Sequence, residues 1–276
     1  MSKIVWDAIG EHKYETGVDH GVLYPINQST NQYDNGVAWN GLTSVTETPS
    51  GAESNAQYAD NIKYLDLLSA ETFGATIACF TYPPEWEECD GAESPVEGVI
   101  LHQQARKTFG LSYRTKIGDD LNPDAGYKLH LVYGCKATPS ERAYNTVNES
   151  PEALNFSYTI STTPINVTGY KPTSLITIDS TKYTETAAKA KLDALEAILY
   201  GSDGTVTYEE FTGSTFESDV DYYTRSGTAG SYVYTKTTDT SPQSGTTYYT
   251  KSVTGATNPL LPLPDEVISI LRGTNG

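Results

Sequence analysis

Residues 111–117 and 127–133 each place apolar side chains at alternate positions, with Ser, Arg, Thr, Lys and His between them. A period of two is the pattern of a half-buried strand, because successive side chains leave opposite faces of the backbone. Gly118-Asp119-Asp120 and Pro123-Asp124-Ala125-Gly126 lie between the two stretches and supply turn residues. One face of each strand is expected to pack, and the other to meet water or a neighbour. Residues 73–82 are rich in β-branched and aromatic types, and 154–162 and 175–178 also read as strands. The chain is therefore expected to be mainly β.

Helix is confined to short passages. In 184–200, Ala188, Leu192, Leu195 and Leu199 fall on one face at steps of four, three and four. Thr184 suits the N-cap and Gly201 the C-terminal stop, so this segment is expected to be one α-helix covering a sheet. Residues 83–89 begin with proline and predict one or two acidic turns. Residues 205–257 change character to Thr, Ser, Gly and Tyr and repeat a short phrase: Asp221-Tyr222-Tyr223-Thr224-Arg225, Tyr232-Val233-Tyr234-Thr235-Lys236 and Thr247-Tyr248-Tyr249-Thr250-Lys251. The first two are expected to pair across a Gly-rich loop as a hairpin. A hydrophobic pattern returns at 260–271, where Leu261-Pro262-Leu263-Pro264 is expected to be extended.

The 276 residues carry a net charge of −17, and 21 of them are Tyr. Static nucleic-acid binding is disfavoured, because it relies on Lys and Arg displacing phosphate counterions. A polybasic membrane anchor is excluded on the same ground. The three cysteines, Cys79, Cys89 and Cys135, are odd in number and irregular in spacing, which argues for reduced thiols. Residues 1–10 hold no apolar run of signal-peptide length, so a cytoplasmic site of synthesis and no export by a classical signal are expected.

Catalytic constellations are poor. His12, His20, His102 and His130 make no metal-ligand spacing, and no phosphate loop, dinucleotide fingerprint or nucleophile elbow occurs. Cys135 beside His130 reads as a core cysteine in a strand. Asp203-Gly204 with Val206 and Glu210 matches part of a calcium loop, but Leu199 and Gly201 then occupy ligand positions that need side-chain oxygens. Glu85, Glu87, Glu88, Asp90, Glu93 and Glu97 read as a solvated acidic loop. The Asn-x-Ser/Thr matches at Asn27, Asn148, Asn155 and Asn166 carry little weight without export. No catalytic, metal or cofactor residue is assigned, and the chain is not expected to be an enzyme.

A set of aromatic-glycine phrases adds a resemblance. They are Val5-Trp6-Asp7-Ala8-Ile9-Gly10, Gly21-Val22-Leu23-Tyr24-Pro25, Gly36-Val37-Ala38-Trp39-Asn40-Gly41-Leu42, Tyr82-Pro83-Pro84-Glu85-Trp86 and Arg106-Lys107-Thr108-Phe109-Gly110. Asp60-Asn61-Ile62-Lys63-Tyr64, Tyr170-Lys171-Pro172 and Leu263-Pro264-Asp265-Glu266-Val267 extend the series. In this order they resemble the major tail protein, or tail tube protein, of long-tailed, non-contractile bacteriophages of Gram-positive hosts (siphophages). The resemblance covers roughly 4–202 and returns at 261–267.

That resemblance implies a tail-tube-type β-sandwich whose strands join a shared inner barrel. Subunits would form rings, commonly hexameric, that stack into the conduit for DNA during ejection. The implied partners are the chain itself, a tape-measure protein, a tail terminator and DNA as transient cargo, with no cofactor. The implied location is the virion tail. On this reading 1–204 is the tube core and 205–257 an inserted appendage, with 258–276 returning to the core or forming an inter-ring arm. Residues 43–58 are a candidate polar loop reaching the next ring. Trp6, Tyr14, Tyr24, Trp39 and Tyr58 are candidate interface anchors, or else ordinary core residues. Arg106 and Lys107 are expected to pair with carboxylates of a neighbour or of their own subunit. Glu85, Glu87, Glu88 and Asp90 are the candidate lumen or acidic surface. A carbohydrate-binding or adhesion β-module is the alternative, suggested by the Tyr- and Thr-rich repeats.

Overall fold

A computed structural model describes residues 4, 6–146, 149, 153–228 and 231–273. Val5, Asn148, Ser150, Ala229 and Gly230, which belong to sequence motifs named above, lie outside the described residues. Strands hold 46% of the chain and helices 12%, so the fold is mainly β as expected. The chain divides into two compact units, Met1–Tyr200 with Pro259–Gly276, and Gly201–Asn258.

The first unit carries β1 (Tyr14–Asn27), β2 (Gln32–Tyr33), β3 (Val37–Trp39), β4 (Leu42–Glu47), β5 (Ser54–Ala59), β6 (Ile62–Leu68) and β7 (Gly74–Cys79). The short helix α1 (Trp86–Cys89) follows, then β8 (Ala92–Val96), β9 (Val99–His102), β10 (Phe109–Gly118), β11 (Gly126–Ala137), β12 (Phe156–Thr162), β13 (Leu175–Asp179) and α2 (Thr186–Tyr200). After the second unit the chain re-enters through α3 (Pro264–Arg272). Nine strands form one antiparallel sheet in the order β2-β1-β10-β11-β12-β7-β4, with β3 beside β1 and β13 beside β11. Three strands separate β10 from β4 along this ladder, yet the Tyr113 hydroxyl on β10 donates to Glu47 Oε1 on β4 at 2.8 Å. The sheet is therefore curled until its far strands meet.

Curling gives the sheet two buried faces. The inner one gathers Leu23, Phe109, Leu111, Tyr113 and Val132 against Ile77, Tyr158 and Ile160, with Trp86 of α1 at the centre. The outer one sets Val22, Tyr24, Leu129, Leu131, Tyr133 and Ile178 against Leu192, Leu195 and Leu199 of α2 and Val267 of α3. On β11 the odd positions from Leu129 to Tyr133 face the helices, whereas Cys135 and Ala137 face inward. The change of parity falls at Gly134, where the β10–β11 register slips and φ is +60°. A side chain there would place its Cβ 2.3 Å from the Thr163 carbonyl oxygen, so glycine is required at this bulge.

Several expectations are corrected. From Phe109 to Tyr113, β10 is buried at every position, so it is not half exposed. Helix covers one face and the curled sheet covers the other, and neither is a local property. The covering helix begins at Thr186, and the Lys189 amide bonds to the Glu185 carbonyl at 2.8 Å, which makes Glu185 and not Thr184 its N-cap. Gly201 ends it with φ +74°. Residues 43–58 are not a loop: they hold most of β4, which pairs with β7, and most of β5, which pairs with β6. Leu263 is extended as expected, but the following helix α3 was not anticipated. Pro264 opens it, and Glu266 Oε2 accepts the Leu263 amide at 2.9 Å.

The second unit is a four-stranded antiparallel sheet of β14 (Thr205–Phe211), β15 (Tyr222–Thr228), β16 (Ser231–Lys236) and β17 (Tyr248–Thr254), in the order β14-β17-β15-β16. The expected hairpin is β15–β16, running from Tyr223↔Lys236 to Thr228↔Ser231. Aromatic rings replace the missing aliphatics. Phe211, Phe216, Tyr222 and Tyr248 cluster with centroids 3.9–5.7 Å apart. On the opposite face Tyr208 stacks on Tyr234 at 3.8 Å, with Tyr223 and Tyr249 at their edges.

Candidate assembly surface

Two hairpins stand outside the nine-stranded sheet, each a two-stranded sheet by itself. β5 and β6 pair from Ser54↔Leu68 to Ala59↔Ile62. Their tip is Asp60-Asn61, both at positive φ (50° and 62°), the geometry that matches the twist of a two-residue hairpin loop. The base is tied by the Ser50–Thr72 bridge, whose hydroxyls are 2.8 Å apart. Every residue of β6 is exposed, with Ile62, Tyr64, Leu67 and Leu68 between 55% and 72%. β8 and β9 turn at Glu97-Gly98, with Gly98 at φ +82°, and expose Val96, Val99, Ile100 and Leu101. A lone two-stranded hairpin is marginal in water. Contiguous exposed aliphatics on such hairpins, beside strand edges outside any larger sheet, make these two hairpins the candidate interaction surface.

The candidate anchors separate into two groups. Tyr24 is fully buried and its hydroxyl donates to the Leu199 carbonyl at 2.8 Å. Trp39 is buried too, with Nε1 donating to the Thr81 carbonyl at 3.1 Å and its ring 4.7 Å from Trp86. Both are core residues of the subunit. Trp6, Tyr14 and Tyr58 are exposed, Tyr58 on the β5–β6 hairpin and Trp6 on the segment before β1. The aliphatics of β6 and β9 escaped sequence reasoning. Their signal was present: apolar residues cluster just after Asp60-Asn61, interrupted by Lys63 and Asp66, and just after Gly98 as Val99-Ile100-Leu101.

The positive residues pair inside the subunit. Arg106 Nη1 lies 3.0 Å from Asp90 Oδ1, and Arg142 bonds the other oxygen of the same half-buried carboxylate. Lys107 bonds Glu88, and that hydrogen bond raises its pKa. Asp90 thus commits its charge to two arginines. Glu85, Glu87 and Glu88 instead line an open cavity of about 880 Å³ with Asp34 and Glu93, and among the described residues Lys107 is the one base on its wall.

The remaining chemistry-bearing residues are dispersed or sealed. The three thiols are buried, and burial pushes Cys89 up to about 12. His130 is buried and stacked on Tyr113 at 4.6 Å; desolvation lowers its pKa against the opposing charge of Glu47. Among the described residues no three His, Cys, Asp or Glu side chains gather as a metal site, and no helix is long and apolar enough to cross a membrane.

No family model matches the chain, and no curated protein matches it. Among solved structures, 63% of this chain aligns with 94% of a chain from the sheath-tube complex of an extracellular contractile injection system (PVC, extended state), at 10% identity and a TM-score of 0.25.

Proposed function

We propose that this chain is a structural subunit that polymerises into a tail tube, the conduit for DNA in a long-tailed, non-contractile phage. One observation carries the reading: the β5–β6 and β8–β9 hairpins stand apart from the nine-stranded sheet and present aliphatic side chains that stay largely exposed among the described residues. Pairing with neighbours satisfies both their edges and their apolar faces. The contact is head-to-tail, so rotation closes it into a ring, which the aromatic-glycine phrases suggest is hexameric. In stacked rings β5–β6 reaches the next ring, and tube length is set by a tape-measure protein and a terminator. The net charge of −17 suits a wall that repels a passing polyanion, with Glu85, Glu87 and Glu88 as lumen candidates.

Negative-stain electron microscopy of the concentrated protein tests this. Hollow tubes or rings of uniform width are expected. Monomers at all concentrations and salt conditions would overturn the proposal.

A second reading, glycan binding by the second unit, has one observation in its favour. The three basic residues of that unit, Arg225, Lys236 and Lys251, share one sheet face with Tyr208, Tyr223, Tyr234 and Tyr249. Arg225 lies over the rings of Tyr232 and Tyr249 at 4.3 and 4.9 Å. Retention of a non-polymerising protein on an acidic polysaccharide column would favour this reading.

A further inference from the structure

Resting on the self-assembly reading, we infer that a pocket beside β1 and β3 receives Trp6 of a second copy of the chain. The pocket has a volume of about 520 Å³ and is lined by Val22, Ala38, Trp39, Tyr200 and Pro259, with Asp19 and His20 among its polar residues. Gly21 and Gly36 also line it; any side chain there would collide with Leu42, Tyr24 or Val22. An apolar pocket with a few polar groups is the usual form of a recognition site.

Two features mark it as unfinished. The Tyr200 hydroxyl, on a residue of the pocket wall, is buried with no hydrogen-bond partner among the described residues, a cost in the isolated chain. His20 is held at φ +51°, a conformation that a residue with a Cβ avoids unless its surroundings enforce it. Its ring lies 6.0 Å from that of Tyr200 and touches Arg114, which also pairs with Asp19.

The matching element is on the same chain. The segment before β1 is tied to the β10–β11 turn through the Gly10 amide, which donates to Asp120 at 2.9 Å, and through His12, 3.3 Å from the same carboxylate. Beyond that tether Ile4, Trp6 and Ile9 are 67%, 74% and 80% exposed. Trp6 brings a flat apolar ring that can pack against the Val22, Trp39, Tyr200 and Pro259 walls of the pocket. The neighbouring Asp7 carboxylate, 90% exposed, meets the Arg114–His20 pair at the rim. A site and its ligand on different parts of one chain make a heterologous contact, the type that generates rings and filaments.

Tryptophan emission tests the inference directly. Trp39 and Trp86 are buried, so Trp6 is the indole that acrylamide reaches in the monomer. Assembly is expected to protect it and shift its emission to the blue. Trp6→Ala and Ala38→Phe, both at exposed positions, are expected to leave the melting temperature unchanged. Each should raise the critical concentration by roughly 30-fold, the loss typical of a buried interface tryptophan. A Trp6→Cys, Ala38→Cys double variant is expected to give a ladder of covalent multimers on oxidation. Assemblies in which Trp6 remains quenchable, or cross-linking only within monomers, would overturn the inference and leave the tube reading standing. Absence of any association would overturn both.

Discussion

Replacing Leu67 and Leu68 by serine tests whether the β5–β6 hairpin is an assembly element or a decoration. The two residues are adjacent on β6 and point to opposite faces of the hairpin, so a neighbour covering either face meets one of them. Full burial of a leucine is worth about 2.5 kcal/mol, and 55% and 72% of these residues remain exposed. A neighbour that buries the remainder would gain about 1.4 kcal/mol at Leu67 and about 1.8 kcal/mol at Leu68. Loss of both is then about 3 kcal/mol, a factor of roughly 150 in association, and loss of one about tenfold. The critical concentration for assembly, read by sedimentation or light scattering, should rise by that factor. Because both side chains are mostly exposed in the isolated chain, the melting temperature should move by only a few degrees. An unchanged critical concentration would refute the reasoning. A fall in melting temperature of about 5 °C or more would do so too, since it would mean that the hairpin is packed within its own subunit.

Further predictions concern the subunit itself. Trp86→Ala removes the ring between Trp39, Phe109 and Tyr158, which lie 4.7, 5.1 and 4.9 Å away, and should cost about 3–5 kcal/mol in urea unfolding. His130 has its pKa lowered by burial, so the unfolded chain binds its proton more readily; stability should be complete above the ordinary value of about 6.5 and decline as pH falls below it. In His130→Phe, the urea midpoint should depend less steeply on pH as pH falls below about 6.5. Cys79, Cys89 and Cys135 should all resist a thiol reagent in the folded protein and react together on unfolding. Deleting Gly201–Asn258 and joining Tyr200 to Pro259 through a short glycine linker should leave the first unit folded, because the Leu260 amide still reaches the Ile198 carbonyl (2.8 Å); loss of cooperative melting would contradict this.

Local chemistry sufficed for much of the fold. Alternation located β10, β11 and β12, the leucine stripe of α2 turned out to be its packed face, and repeated Tyr-Thr phrases paired as β15 and β16. These signals lie within a few residues of one another, and backbone periodicity alone reads them. Other decisions needed residues distant in sequence. Tyr24 and Trp39 look like any exposed anchor until the curled sheet and α2 enclose them. Arg106 is a cation in an acidic sequence, with no partner evident until the fold brings Asp90, 16 residues away, between it and Arg142. The apolar residues of β6 resemble a core strand in composition, and only their separation from the nine-stranded sheet leaves them facing outward. Period and turn chemistry are short-range properties that the sequence sets by itself. Which faces are covered depends on how the sheet closes, and that is decided by contacts across the whole chain.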